Sequence, residues 1–137
     1  MEIDNHEVRL YVIVRTDMDS MNPGRVAAQV SHAASQVAWA AFIVPRDSEI
    51  QALYAEWVGT RAADQIRGFG TTIVLDGGDN FNELCELGTH HGVVIDPTYP
   101  ILDGKIVHLV NIPTCSWILA RVKDVPEQIR NLPLYKG

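Results

Sequence analysis

Residues 7–33 read EVRLYVIVRTDMDSMNPGRVAAQVSHA, and two periodicities meet in this stretch. From Glu7 to Arg15, Leu10, Val12 and Val14 alternate with Tyr11, Ile13 and Arg15, and both sets are largely apolar. A short β-branched run that is apolar on both faces reads as a central strand covered by helices on both sides. A polar loop follows. Asn22-Pro23-Gly24 then reads as a helix start, with Asn22 as N-cap and Pro23 at the first helical position. From Pro23 to Phe42, Val26, Val30, Ala33, Val37 and Ala41 form an apolar stripe at helical spacing, and Pro45 ends the segment.

Outward from there, Ser48-x-x-Gln51 matches a capping box, and Ile50, Leu53, Tyr54, Trp57 and Val58 give a second amphipathic helix stopped by Gly59. Ala62, Ala63 and Ile66 suggest one more helical turn before Gly68. TTIVL (71–75) reads as a strand, Asp76-Gly77-Gly78 as a turn, and Asn80-x-x-Glu83 as a second capping box. Phe81, Leu84 and Leu87 give the next helix its buried face. Val93 to Ile95 begins a third strand that ends at Asp96, and KIVHLVNI (105–112) and CSWILARV (115–122) are strand-like. Pro126 to Leu132 suits a short final helix. The order β-α-α-β-α-β-β-β-α predicts a three-layer α/β/α sandwich. Its sheet is mixed, mostly parallel and of about four strands, with an extra hairpin, in one domain spanning 1–137.

The chain has 137 residues, 47% of them hydrophobic and 20% charged, which suits one soluble globular domain and is too apolar for disorder. No apolar run is long enough for a membrane span, and the acidic start lacks a signal-peptide core. Cys85 and Cys115 have no CxxC spacing and fit reduced thiols, so a cytoplasmic protein is expected. The net charge of −6 excludes general coating of nucleic acid by bulk charge, but leaves room for a local basic site.

Arg25, Gln29, His32 and Gln36 are spaced 4, 3 and 4 and so share one helix face. In open α/β sheets, ligands bind beyond the carboxyl ends of the strands. Thr16, Asp17, Arg25, Gln29 and His32 are expected at that edge, with Asp96 closing the third strand beside them. The helix start offers free backbone N–H groups, and Arg25 adds a bidentate donor for an anion. His32 suits acid–base work near neutral pH. The competing reading is a solvated polar face, with Asp96 as a turn former before Pro97. His6, His90, His91 and His108 have no metal-ligand spacing, so neither a metal nor a cofactor is expected. Trp39, Trp57 and Trp117 read as core or edge anchors.

YVIVRTDMDSMNPGRVAAQVSHAA resembles the opening of type II peptidyl-tRNA hydrolases, an apolar strand ending near R-x-D and then a G-K-x-A-A-Q-x-S-H-A helix start. Gly24, Ala27, Ala28, Gln29, Ser31, His32 and Ala33 match. Trp57, TTIVL, LGTHHGVVID (87–96) and NLPLY (131–135) resemble the family more loosely. The resemblance implies a compact α/β/α domain that cleaves, without a metal, the ester joining a peptide to the 3′ end of tRNA. It implies that Gln29, Ser31 and His32 fall on family site positions. Arg25 stands where the family usually has Lys, and Asp96 falls on the Asp of the family's D-A-G-[RK]-T-Q loop. Here that loop reads Asp96-Pro97-Thr98-Tyr99-Pro100, and IPTCSWILA (112–120) resembles the family's P-G-[ST]-x-T strand entry. Thr98 and Thr114 are thus both candidates for the family's loop threonine, and 97–111 forms a longer loop or hairpin.

The expected chemistry follows. Arg25 and the helix start hold a phosphate or the developing oxyanion, His32 and Asp96 activate water, and Gln29 and Thr98 bond the substrate. Attack by Ser31 is disfavoured for want of a close base. The expected partner is the 3′ end of peptidyl-tRNA, not a membrane, and homodimerisation is left open. The alternative is a catalytically impaired module on the same fold that binds tRNA ends or a protein.

Overall fold

A computed structural model describes residues 4–18, 21–43, 48–59, 68–96, 101–102, 105–106 and 112–137, with backbone only at 101–102 and 105–106. Strand β1 spans Val8–Arg15, helix α1 Pro23–Phe42, helix α2 Ser48–Val58, strand β2 Thr72–Gly78, helix α3 Phe81–Leu84 and strand β3 His91–Asp96. Strands β4 (Ile101–Leu102) and β5 (Lys105–Ile106) follow, then β6 (Ile112–Arg121), a 3-10 turn at Val122–Asp124 and helix α4 at Glu127–Arg130.

The main sheet has the order β2-β1-β6-β3, and β4 and β5 form the separate hairpin. Strand β1 is parallel to β2, while β6 lies antiparallel to both β1 and β3. Three of the four strands therefore share one direction, and their carboxyl ends meet the start of β6 at a single edge. The expected mixed layered sheet is present.

Strand β1 is central because its residues are apolar on both faces. Leu10, Val12 and Val14 pack with Val26, Ala33 and Val37 of α1 and with Ile50, Leu53 and Trp57 of α2. On the other face, Tyr11 and Ile13 join Leu75, Phe81, Leu84 and Ile129. Helix α1 starts as its sequence predicts: Asn22 is extended, and its side chain accepts a 2.9 Å hydrogen bond from the Arg25 N–H.

Several local expectations are corrected. Ser48 is the first residue of α2 and lies inside it, not ahead of it as a cap. Asn80 sits at φ −90°, ψ 10° and its side chain caps nothing. It takes part in a turn through Glu83 N–H to Asn80 O instead, so the second capping box is not formed. Helix α3 is one turn and stops before Leu87, where Gly88 takes φ +91°. Asp76-Gly77-Gly78 continues β2 because β1 runs on beside it. Val14 pairs with Asp76 and Arg15 with Gly78, which leaves Gly77 as the extra residue of a bulge. Strand β6 begins at Ile112, three residues before the expected start. Pro113 is accommodated because a second bulge lies there. Trp57 and Trp117 are buried, but Trp39 is exposed. The expected turn around 62–66, most of the expected 105–112 strand and Thr98 lie outside the described residues.

Candidate active site

The sheet edge holds a buried polar cluster drawn from three elements. Asp96 ends β3 and is 5% exposed, Thr114 lies near the start of β6, and Gln29 sits on the second turn of α1. The Gln29 amide Nε2 donates to Asp96 Oδ2 at 2.5 Å, and its Oε1 accepts from the Thr114 hydroxyl at 2.6 Å. One side chain thus fixes both an acid and a hydroxyl from different strands.

The second bulge explains how Thr114 reaches this cluster. Val94 pairs with Cys115 and Ile95 with Pro113, so Thr114 is the extra residue of β6. Successive strand residues normally face opposite sides. Here Thr114 and Cys115 both turn towards α1: Cys115 Sγ lies 3.5 Å from the Gln29 carbonyl oxygen. Burial pushes the Cys115 thiol up to about 12, which keeps it protonated and inert beside the site.

The polar row of α1 is therefore not a solvated face along its whole length. Gln29 is 3% exposed, and Gln36 donates to Val93 O at 3.2 Å and accepts from the Trp117 indole at 2.9 Å. Both glutamines anchor α1 to β3 and β6. His32, between them, keeps its ring half exposed, with Nε2 3.9 Å from Asp96 Oδ2. That separation is too long for a hydrogen bond.

The start of α1 is more occupied than its sequence suggests. Pro23 has no N–H, the Arg25 N–H is taken by Asn22 Oδ1, and the Val26 N–H bonds to Asn22 O at 2.9 Å. Among the described residues, Gly24 N–H is the donor left over. The Arg25 guanidinium makes no hydrogen bond or ion pair among the described residues. It is partly exposed one turn before Gln29.

The other predicted residues divide clearly. Ser31 is exposed, on a different face of α1 from Gln29. Thr16 donates to Asp76 Oδ1 at 2.6 Å, an oxygen that also receives the Gly78 N–H. Asp17 is bound by both arms of Arg15 at 2.8 Å, and this guanidinium holds its carboxyl below the usual carboxylate range. Thr16 and Asp17 thus tie down the loop after β1 and do not join the Gln29 cluster. Sequence reasoning left Thr114 and Thr98 as equals, and only the bulge brings Thr114 to Gln29. Among the described residues no three His, Cys, Asp or Glu side chains are placed to hold a metal ion. None of the described helices is long and apolar enough to cross a membrane.

The arrangement offers a buried carboxylate, an imidazole beside it, an unpaired cation and a helix start around one edge. That set suits proton transfer next to a developing negative charge. A search of the curated proteins finds no match to the chain. A family model described as Peptidyl-tRNA hydrolase PTH2 matches residues 8–134, from the first strand to the segment after α4. With a match over nearly its whole length, the chain belongs to the peptidyl-tRNA hydrolase PTH2 family.

Proposed function

We propose that the chain, acting as one domain in the cytoplasm, hydrolyses the ester joining a peptide to the 3′ end of tRNA. The observation that carries this reading is the Gln29–Asp96–Thr114 cluster with His32 at its mouth, 3.9 Å from the carboxylate. Hydrolysis needs a base for water, a stabiliser for the oxyanion and an acid for the departing 3′ oxygen. His32 takes a proton from water as the water oxygen attacks the ester carbonyl carbon. Arg25 and the Gly24 N–H stabilise the oxyanion as the carbonyl electrons move to oxygen. The tetrahedral intermediate then collapses, the bond from carbon to the 3′ oxygen breaks, and His32 returns the proton to that oxygen. Asp96, 3.9 Å from His32 Nε2, faces the imidazolium formed between the two transfers.

Gln29 enters this scheme as a positioning residue, since both ends of its amide are engaged and it is almost fully buried. Arg25, as a guanidinium, serves electrostatics and binding, not proton transfer. Ser31 lies too far round the helix to share in the chemistry. The reading calls on side chains and one backbone N–H, and includes no metal or cofactor.

The test is release of peptide from an N-acetyl-aminoacyl-tRNA by the parent and by Arg25→Ala, His32→Ala and Asp96→Asn. Loss of the base should lower kcat by about 10²–10⁴-fold. The second reading, a tRNA-end binding module without turnover, is favoured by the long gap between His32 and Asp96. Tight tRNA binding by the parent with no ester cleavage would support it.

A further inference from the structure

We propose that the RNA body runs along a cationic track on the far side of the sheet, reaching the candidate site around the start of α1. This rests on the hydrolase reading and extends it to the path of the RNA. The distribution of unneutralised charge carries it. Among the described cations, Arg9, Arg15 and Arg121 are paired with Glu7, Asp17 and Glu56. Arg25, Lys123, Arg130 and Lys136 make no ion pair among the described residues. In a chain with net charge −6, these four are not scattered.

Lys123 and Arg130 line a 680 Å³ groove over β1, β2 and α4 whose lining includes no Asp or Glu. Its floor is apolar, with Ile73, Leu132 and the exposed Leu134. Leu134 also lines a second cavity of 380 Å³, which contains Lys136 and continues past Thr16. The one acidic side chain in that lining, Asp76, already accepts from Thr16 and from the Gly78 N–H.

The final segment forms the wall between the two cavities. Asp76 N–H donates to Pro133 O at 2.8 Å and Tyr135 N–H to Val74 O at 2.9 Å, so the segment pairs with the free edge of β2. At its end, a Cβ placed on Gly137 would lie 3.8 Å from Pro23, the first residue of α1. The described cations without an ion pair therefore trace one route from Lys123 and Arg130, past Lys136, to the start of α1, the helix that carries Arg25, Gln29 and His32.

A polyanion with apolar faces between its charges fits this route, because lysines meet phosphates while sugar and base faces rest on the apolar floor. An acidic peptide shares the charge. The route favours RNA because it ends where the 3′ end of the RNA must lie for hydrolysis.

Binding of deacylated tRNA across a salt series tests the track, using the parent and Lys123→Gln/Lys136→Gln. Both lysines are exposed, so the double variant should fold. The slope of log Kd against log salt should fall by about 1 per lysine, about 2 in all. For N-acetyl-aminoacyl-tRNA, KM should rise several-fold with kcat unchanged. An unchanged slope and KM with hydrolysis intact overturns the track and leaves the hydrolase reading standing. A parent that neither binds nor cleaves tRNA overturns both. If poly-glutamate displaces tRNA as well as unlabelled tRNA does at equal charge, the groove takes acidic peptide and the RNA assignment fails.

Discussion

Gln29 sits on a row of polar residues that reads in sequence as a solvated helix face, yet it is 3% exposed and bonded at both ends. Replacing it with Ala should remove one interior hydrogen bond each from Asp96 and Thr114. Such bonds are worth about 0.5–1.5 kcal/mol each and more to a charged group, so thermal unfolding of Gln29→Ala should shift downward. Gln29→Glu makes a sharper test. It sets a second carboxyl against Asp96 Oδ2, which raises the folded-state pKa of one of the pair above its unfolded value. Stability should then be retained at low pH and lost as pH rises towards 7, a trend the parent should not show. Cys115 yields a separate check. With its thiol buried and pushed up to about 12, Cys115 should be reached by an alkylating reagent only on unfolding, whereas Cys85 should be labelled in the native protein. The helix spacing of Gln29 and His32 was legible from the residues alone. Its burial was not, because that depends on which strand lies beneath the row.

At the level of elements, periodicity identified β1, α1 and α2 well, because each carries a long apolar pattern and α1 a true cap. It failed where short-range signals compete with sheet pairing. Asp76-Gly77-Gly78 has the composition of a turn, but pairing with β1 and with the 133–135 segment holds it in β2. The bulge at Thr114 leaves no sequence signature beyond Pro113, although it decides which threonine meets Gln29. Gly92 shows how tightly these pairings constrain composition. It faces Trp117 across β3 and β6, and a Cβ there would sit 2.6 Å from the indole ring. The ring is buried and donates to Gln36. Gly92→Ala should therefore displace the indole and release α1 from the sheet, at about 1–3 kcal/mol. Denaturant unfolding followed by tryptophan fluorescence would read both effects, and a variant as stable as the parent would argue against this packing.

For the whole molecule, the net charge of −6 first argued against a nucleic-acid protein. Its distribution changes that meaning, since among the described residues several basic groups are neutralised by neighbours and the others are grouped near one route to the site. The paired groups also predict the response to acid. Asp17 beside Arg15 and Glu56 beside Arg121 both have carboxyl pKa values lowered by their guanidinium partners. Their contribution is present above the unfolded carboxylate range, near 4, and is lost as pH falls through the lower folded values. Both pairs are partly exposed, so each supplies about 1 kcal/mol at most, further reduced by salt. Asp17→Asn should lower the unfolding temperature slightly at pH 7 and leave it unchanged near pH 2. The family and the layered fold were legible in the sequence, because the strand, loop and helix of residues 7–33 carry both. The path of the RNA was not, because it depends on the 133–137 segment folding back beside β2 to reach α1. The most direct measurement of the central claim is single-turnover release of peptide from N-acetyl-aminoacyl-tRNA by the parent, His32→Ala and Asp96→Asn. The account predicts release by the parent and a fall of at least about 10²-fold in both variants, with tRNA affinity retained. Equal rates in all three proteins, or no release by the parent, would contradict it.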